Sequence, residues 1–385
     1  TPYVVTKLGT PVLSLNNEKM VDGKIGNSVI TFPQVSGATG YKIKVSPMVG
    51  GQSEFEVLTN EFEIDDKFLV DTNYTIEVEA MGNPANTIMG ESSSIIVKKL
   101  GVTDNFVIAN NKLTFNGILS ASKYEVVLTG VNGTQTITTT QTTVDLAENL
   151  TVSGTYAISV RALGLVTDAI NIANGVLVDT TKTITKLADV VVTGVSNSGV
   201  VSWNAVDGTT TYAVYLNNNY VSNATGTSYG LNFEELKEGS NTVKVVAVGD
   251  GVQTISSGLS SATAYTFNKL GMVTNATVTN DILTFTGVSG AINYRVKVNS
   301  GEYKLIGNNP ENQQYSLSGL SEIVDGVNQI YIIADGDDVK NISSNPAIFS
   351  VSRLNVPTNL RVEGGVLTWD QVENVQYKVY VGNNT

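Results

Sequence analysis

The stretch Val29-Ile30-Thr31-Phe32-Pro33-Gln34-Val35, with Tyr41-Lys42-Ile43-Lys44-Val45 a few residues on, decides how this chain folds, because the pair occurs five times. The other copies of the first run are Lys112–Ile118, Val200–Val206, Ile282–Val288 and Val366–Val372. Each run carries one large aromatic: Phe32, Phe115, Trp203, Phe285 or Trp369. A tyrosine follows at offsets of 9, 9, 9, 9 and 8 residues, at Tyr41, Tyr124, Tyr212, Tyr294 and Tyr377. Each tyrosine opens an alternating apolar/polar run, the mark of a strand with one buried and one wet face.

Two further landmarks recur in the same order. A Lys/Arg-Leu pair stands at Lys7-Leu8, Lys99-Leu100, Lys186-Leu187, Lys269-Leu270 and Arg353-Leu354, with leucine spacings of 92, 87, 83 and 84 residues. A second alternating run ends in Ala-x-Gly at Ala80-Gly82, Ala162-Gly164, Ala247-Gly249 and Ala334-Gly336. Landmarks that keep one order and one period announce tandem structural units. The plainest role for the aromatics and tyrosines is to fill a sandwich interior rather than to line a ligand site.

Within a unit, short segments rich in Val, Ile, Thr, Tyr and Phe alternate with Asn, Gly, Ser and Asp clusters such as Asn110-Asn111, Asn217-Asn218-Asn219, Gly249-Asp250-Gly251 and Asp335-Gly336-Asp337. Asn and Gly tolerate the left-handed backbone of tight turns. The best helical candidate is Leu231–Lys237, one or two turns with Asn232 as cap. About seven short strands in a period of roughly 85 residues predict an all-β chain of tandem immunoglobulin-like β-sandwiches in an elongated array.

The order of these runs resembles fibronectin type III domains, particularly bacterial ones. Asn355-Val356-Pro357-Thr358-Asn359-Leu360 and Gly365-Val366-Leu367-Thr368-Trp369 match the first two strands of that family. Gly154-Thr155-Tyr156-Ala157-Ile158-Ser159-Val160 matches the sixth. At the sixth-strand tyrosine, units one and two carry Tyr74 and Tyr156, whereas units three and four carry Asn241 and Asn328. The family's tyrosine-corner hydrogen bond therefore does not carry over to the last two. The resemblance implies a fold that hosts many roles. Adhesive members carry an integrin-binding tripeptide in the loop after the sixth strand, and no Arg-Gly-Asp occurs in this chain.

Complete units are expected at 8–99, 100–186, 187–269 and 270–353. Residues 1–7 read as the last strand of a preceding unit and 354–385 as the first three strands of a further one. Such a piece is expected to belong to a longer polypeptide, and an intact mass of 40.8 kDa for the natural material would end that idea. No Pro-rich or Ser/Gly-rich spacer separates the units, so a semi-rigid stack on the order of 120–150 Å is expected. Gentle proteolysis is expected to cut near the Lys-Leu pairs.

Composition narrows the chemistry. The 385 residues include no cysteine and no histidine, which excludes thiol and imidazole nucleophiles, Cys/His zinc sites and disulfides. There are 23 Lys plus Arg against 35 Asp plus Glu, a net charge of −12, which argues against nucleic-acid binding. No apolar run is long enough to span a membrane. Paired carboxylates are the remaining catalytic option, and the densest group is Glu54, Glu56, Glu61, Glu63, Asp65 and Asp66. Glu61 and Glu63 alternate with Phe62 and Ile64, so they read as an outward strand face. Glu234-Glu235 reads as the first turn of the short helix.

Asp335, Asp337 and Asp338, with Asp250 in the equivalent loop of the preceding unit, are the candidate Ca²⁺ ligands. They lack the EF-hand spacing, and a turn is their default reading; no other metal, cofactor or catalytic residue is assigned. Sequons stand at Asn73, Asn132, Asn149, Asn223, Asn275, Asn341 and Asn383, as a chain rich in Asn and Thr produces by composition. Lys–Asn isopeptide crosslinks are not expected at Lys7, Lys99, Lys186 and Lys269, which sit at unit junctions.

These readings point to a non-enzymatic spacer or adhesive region of an exported bacterial surface protein, extracellular or at the cell surface. Its expected partners are other domains of the same longer chain, further copies of itself, or a surface glycan or protein receptor. The rivals are a self-assembling virion component (phage tail or fibre) or surface-layer subunit, and an accessory module of a secreted polysaccharide-degrading enzyme.

Overall fold

A computed structural model describes residues 4–21, 24–307, 313–372 and 375–382. The described residues are almost entirely strand and turn, arranged as successive β-sandwiches. In the first repeat, Ser14–Asn16, Ser28–Thr31 and Glu61–Ile64 form a three-stranded antiparallel sheet. Ser93–Lys99, Thr72–Gly82, Ala38–Val49 and Gln52–Val57 lie side by side, in that order, in the facing sheet. In chain order the first, second and fifth strands make the small sheet, and the third, fourth, sixth and seventh make the large one. The same order returns in the second repeat (Val107–Lys186), the third (Val192–Lys269) and the fourth (Thr274–Arg353).

Alternation along the strands puts one apolar side chain in two between the sheets. In the first repeat Leu15, Ile30, Phe62 and Ile64 from the small sheet meet Tyr41, Ile43, Val45, Tyr74, Ile76, Val78 and Val97 from the large one. The second repeat buries Leu113, Val126, Leu128, Ile158, Val160 and Ile184 in the same way. The fourth buries Leu283, Val296, Ile330 and Ile332. Each fully buried aliphatic side chain contributes about 1.5–3 kcal/mol, so every repeat carries its own hydrophobic driving force.

The five aromatic–tyrosine landmarks are contact pairs. Ring centroids lie 4.5 Å apart for Phe32–Tyr41, 5.1 Å for Phe115–Tyr124, 5.4 Å for Trp203–Tyr212, 5.0 Å for Phe285–Tyr294 and 5.1 Å for Trp369–Tyr377. The rings are steeply inclined to one another, as their quadrupoles favour. The phenol also closes the turn before its own strand. Tyr41, Tyr124 and Tyr294 accept the backbone N–H of Val35, Ile118 and Val288 at 2.7–2.9 Å, and Tyr377 accepts that of Val372. A constant offset of eight or nine residues is thus the length of one turn stapled by one hydroxyl.

At the other corner the asparagines do the tyrosine's work by different chemistry. Tyr74 accepts the N–H of Leu69 at 2.7 Å, and Tyr156 donates to the carbonyl of Val152 at 2.9 Å. In the third repeat the Asn241 amide accepts from Lys237 N–H and donates to the Lys237 and Gly239 carbonyls. Asn328 repeats this with Val324 and Gly326. Each amide also accepts from an asparagine of the turn after the third strand, Asn217 or Asn299, whereas the phenol fills core volume.

Among the described residues, helix is confined to single turns. The expected turn forms at Phe233–Glu235, capped by Asn232, whose side chain accepts from Glu234 N–H. A second, unforeseen turn at Leu146–Asn149 is capped by Asp145, which accepts from Ala147 and Glu148. Beyond Leu354, Arg361–Glu363 and Val366–Thr368 form a hairpin. The third strand expected from Tyr377 is not formed among the described residues: a strand exists only against a partner, and none is described there.

By contacts the chain divides into two compact units. One holds Thr1–Asp189, Val206–Thr209 and Ala247–Ser261; the other holds Val190–Ala205, Thr210–Val246 and Ala262–Thr385. The hairpin after the sixth strand of the third repeat therefore belongs with the first unit, for a reason visible in the junctions.

Candidate functional site: the repeat junctions

The Lys-Leu landmark is the place where one repeat is stitched to the next. The ends of the first three seventh strands run parallel to a two-residue strand in the loop between the sixth and seventh strands of the following repeat: Lys98-Lys99 with Ile172-Ala173, Thr185-Lys186 with Thr254-Ile255, and Asn268-Lys269 with Asn341-Ile342. Thr6-Lys7 pairs in the same way with Thr87-Ile88 of the first repeat. Flanking backbone bonds extend each bridge; Leu8, Leu100, Leu187 and Leu270 donate to the carbonyls of Ile88, Ala173, Ile255 and Ile342 at 2.9–3.3 Å. Ala173, Ile255 and Ile342 are buried, and Ala173 and Ile255 sit in the hydrophobic cluster of the preceding repeat, whereas Ile88 is exposed.

Lysine and leucine divide the labour. Leu8, Leu100 and Leu270 belong to the core of the repeat they open. The cation closes the repeat it ends. Lys99 Nζ donates to the Ile64 carbonyl, Lys269 Nζ to those of Phe233 and Leu236, and Arg353 to that of Ile323. Lys186 instead donates to the Ser256 carbonyl at 2.6 Å, and Lys7 pairs with Glu91. Burial lowers the pKa of Lys99, Lys186 and Lys269 because the charged form loses hydration; nearby carboxylates oppose this, Asp66 and Asp65 at Lys99 and Glu234 at Lys269. Among the described residues, the four ammonium groups thus bond to backbone carbonyls and to Glu91.

The Ala-x-Gly landmark is the hinge of the same hairpin. A Cβ at Gly164 would stand 1.8 Å from the Ile172 carbonyl oxygen, and one at Gly336 1.9 Å from that of Asn341. Only glycine lets the chain cross itself closely enough to aim the two-residue strand at its neighbour.

Asparagines in the turn between the first and second strands complete each junction. Asn17 donates to the Ile172 carbonyl at 2.7 Å, accepts from Ser28, and receives a bond from Asn174 at its own carbonyl. Asn111 N–H donates to the Gly251 carbonyl at 2.9 Å. Asn197 accepts from Asp338 nothing but gives it a backbone N–H at 2.6 Å, while its amide exchanges bonds with the N–H and carbonyl of Gly336. The first junction has an addition: a small hairpin, Met20–Val21 with Lys24–Ile25. Arg161 of the second repeat donates to the carbonyls of Ile25 and Gly26 and holds Glu125 at 2.6 Å. Arg161 is 3% exposed and Glu125 0%.

The candidate calcium ligands serve this architecture. Asp335 takes a bidentate Arg295 at 2.6–3.0 Å and a bond from Ser343. Asp338 accepts from Asn197. Asp337 accepts the backbone N–H groups of Val339, Lys340 and Asn341 at 2.8–3.0 Å. Burial pushes the Asp337 pKa up, but these donors outweigh it and hold it at about 2. Asp250 does the same in the third repeat, where the N–H groups of Thr254, Val252 and Gln253 lower it to about 2. Both aspartates fold the hairpin that carries the bridging strand. Among the described residues no group of three or more acidic side chains is placed to hold a metal ion.

The acidic cluster of the first repeat is spread over both sheets. Glu54 pairs with Lys42 and Glu61 with Lys19, while Glu63 accepts from Asn27. Of the sequons, Asn341 lies in a junction strand with its amide on Asp337, and Asn383 lies outside the described residues.

Two sheets of strand order one-two-five and seven-six-three-four define the fold type. The repeats are β-sandwiches of the fibronectin-III/immunoglobulin-like type. No family model matches the chain, and no curated relative matches it. Among solved structures, chicken CNTN1 FN1–FN3 domains are 14% identical over 67% of this chain and 98% of that one, with a TM-score of 0.17. The central fibronectin-III array of RIM-binding protein is 13% identical over 65% and 97%, also with a TM-score of 0.17. At those scores the fold rests on the strand order alone.

Proposed function

We propose that the chain is a non-enzymatic structural array of an exported bacterial surface protein, spacing or presenting what it is joined to. The observation that carries this reading is the fourfold recurrence of the backbone bridge at the Lys-Leu pairs. Flexible linkers cost nothing to encode; a bridge, a glycine hinge and an asparagine at successive junctions make sense where neighbouring repeats must hold a set orientation. The repeat limits 8–99, 100–186, 187–269 and 270–353 belong to the same proposal. The surface role draws on the acidic, Asn/Thr-rich, cysteine-free composition.

Small-angle scattering of the full chain tests the spacing role. An extended particle on the order of 120–150 Å is expected, and a compact one overturns it. Protease shaving of intact producer cells tests the location: release of its peptides is expected, and their protection until lysis overturns it.

A further inference from the structure

Every large sheet ends on its fourth strand, and three of the four such edges are guarded. In the first repeat Gln52–Val57 carries Glu54 and Glu56, and its pairing is interrupted between Lys44 and Val49. In the third, the register of Asn219–Thr225 slips between Val214 and Tyr215. In the fourth, the edge strand is the four-residue Lys304–Gly307, which starts on a lysine. Charges, short lengths and bulges are the devices that keep sheet edges from pairing with other chains.

The second repeat has none of them. Gly133–Thr139 pairs with Lys123–Gly130 over seven consecutive rungs without a shift. From Val131 to Thr143 there is no charged residue and no proline, although the chain as a whole carries −12. Thr134, Thr136 and Thr138 stand exposed along one face. Among the described residues, the strand's backbone bonds only to Lys123–Gly130, so its outer row of N–H and C=O groups is open.

We propose that Gly133–Thr139 pairs antiparallel with the same strand of a second copy, centred on Thr136 opposite Thr136. The occupant follows from the edge itself. A strand with no charge faces its own copy without repulsion, and Thr–Thr pairs across antiparallel strands are favourable. An isologous contact of this kind closes as a two-fold dimer and leaves no further edge of the same type. The proposal stands independently of the surface role.

Sedimentation of the full chain over a concentration series tests it. A reversible dimer is expected. Thr136→Lys sets two ammonium groups against each other at the dyad and should weaken the dimer at least about tenfold. Ser222→Lys, on the already guarded edge of the third repeat, should leave it unchanged. Thr136 is exposed, so an unaltered circular dichroism melt establishes that the variant is folded. Hydrogen exchange on the unmodified protein gives a second reading: alternate amides of Gly133–Thr139 should gain protection as concentration rises. A protein monomeric up to about 1 mM, a Thr136→Lys variant that dimerises like the parent, or exchange in this strand that ignores concentration overturns the proposal.

Discussion

The junction between the first and second repeats and that between the third and fourth share one backbone design and differ in what surrounds it. Both pair a seventh-strand end with a two-residue strand, Lys98-Lys99 with Ile172-Ala173 and Asn268-Lys269 with Asn341-Ile342. Around the first lie the buried Asn17–Ser28–Asn174 network and the Arg161–Glu125 pair, closed over by a hairpin of the first repeat. Around the third lie Asn197, Asp338 and the pair of partly exposed Arg295 with buried Asp335. The backbone bridge is therefore the conserved geometry of the array, and the side chains set how much each junction depends on buried polar groups.

The largest expected difference is between the two arginines. Arg161→Met leaves Glu125 buried without its partner and should cost about 3–5 kcal/mol. Arg295→Met leaves buried Asp335 with the Ser343 hydroxyl as its remaining side-chain donor, and because the arginine itself is partly exposed it should cost less, about 1–3 kcal/mol. Chemical denaturation of each variant measures both, and equal losses would erase the contrast.

Glycine substitutions should instead make the junctions look alike. Gly164→Ala and Gly336→Ala each drive a methyl into a carbonyl oxygen, at 1.8 and 1.9 Å. Each should cost about 1–3 kcal/mol or more, as overpacking does. Hydrogen exchange should show the bridging amides of Leu100 and Leu270 respectively losing protection; a loss at only one would mean the hinge is not shared.

Smaller still are the amide effects. Asn174→Ala removes the donor to the Asn17 carbonyl and the acceptor of the Gly164 N–H from a buried position and should cost about 1–3 kcal/mol, whereas Asn197→Ala, at a half-buried turn, should cost about 0.5–1.5 kcal/mol. Thermal melts of the two variants rank them, and the reverse order would show that burial does not govern the junctions.

The smallest effect is on pH dependence. The folded-state pKa of Asp337 is depressed from 3.8 to about 2. Its stabilising contribution is therefore complete above the ordinary carboxylate range and is lost as pH falls through about 2. Asp337→Asn should flatten the acid limb of an unfolding-midpoint curve at the third junction, and Asp250→Asn should do the same at the second, where the depressed value is also about 2. An unchanged acid limb in both variants would show that the capped hairpins do not contribute.

Much of the architecture was readable from side-chain order. The offset between Phe32 and Tyr41 and its copies became the ring pairs of five turns, and the alternating runs became the core-facing strands. The outward placing of Glu63 beside buried Phe62 and Ile64 followed from the same alternation. What the spacing of Lys-Leu and Ala-x-Gly did not disclose was their purpose. The Lys-Leu residues act on a strand some seventy residues away, the glycines act only by letting that strand's hairpin close, and the partners Ile172, Ile255 and Ile342 sit in loops with no strand-like pattern. Their bridges also place the Lys99 and Lys269 backbones inside hydrogen-bonded pairs, so the cut sites expected at the Lys-Leu pairs are protected positions in the folded chain. For Asp335–Asp338, whose default reading was a turn, the sequence shows carboxylates without their donors. Arg295, Ser343, Asn197 and three backbone N–H groups supply them.

By itself the sequence determined the β-sandwich repeat, its strand count and which side chains face inward, because a period of two and a constant turn length are local properties of a polypeptide. Only the tertiary structure decided how repeats are joined, which carboxylates are spoken for and which sheet edge is left open. Those outcomes depend on hydrogen-bond partners brought together from distant parts of the chain, and no local pattern encodes them.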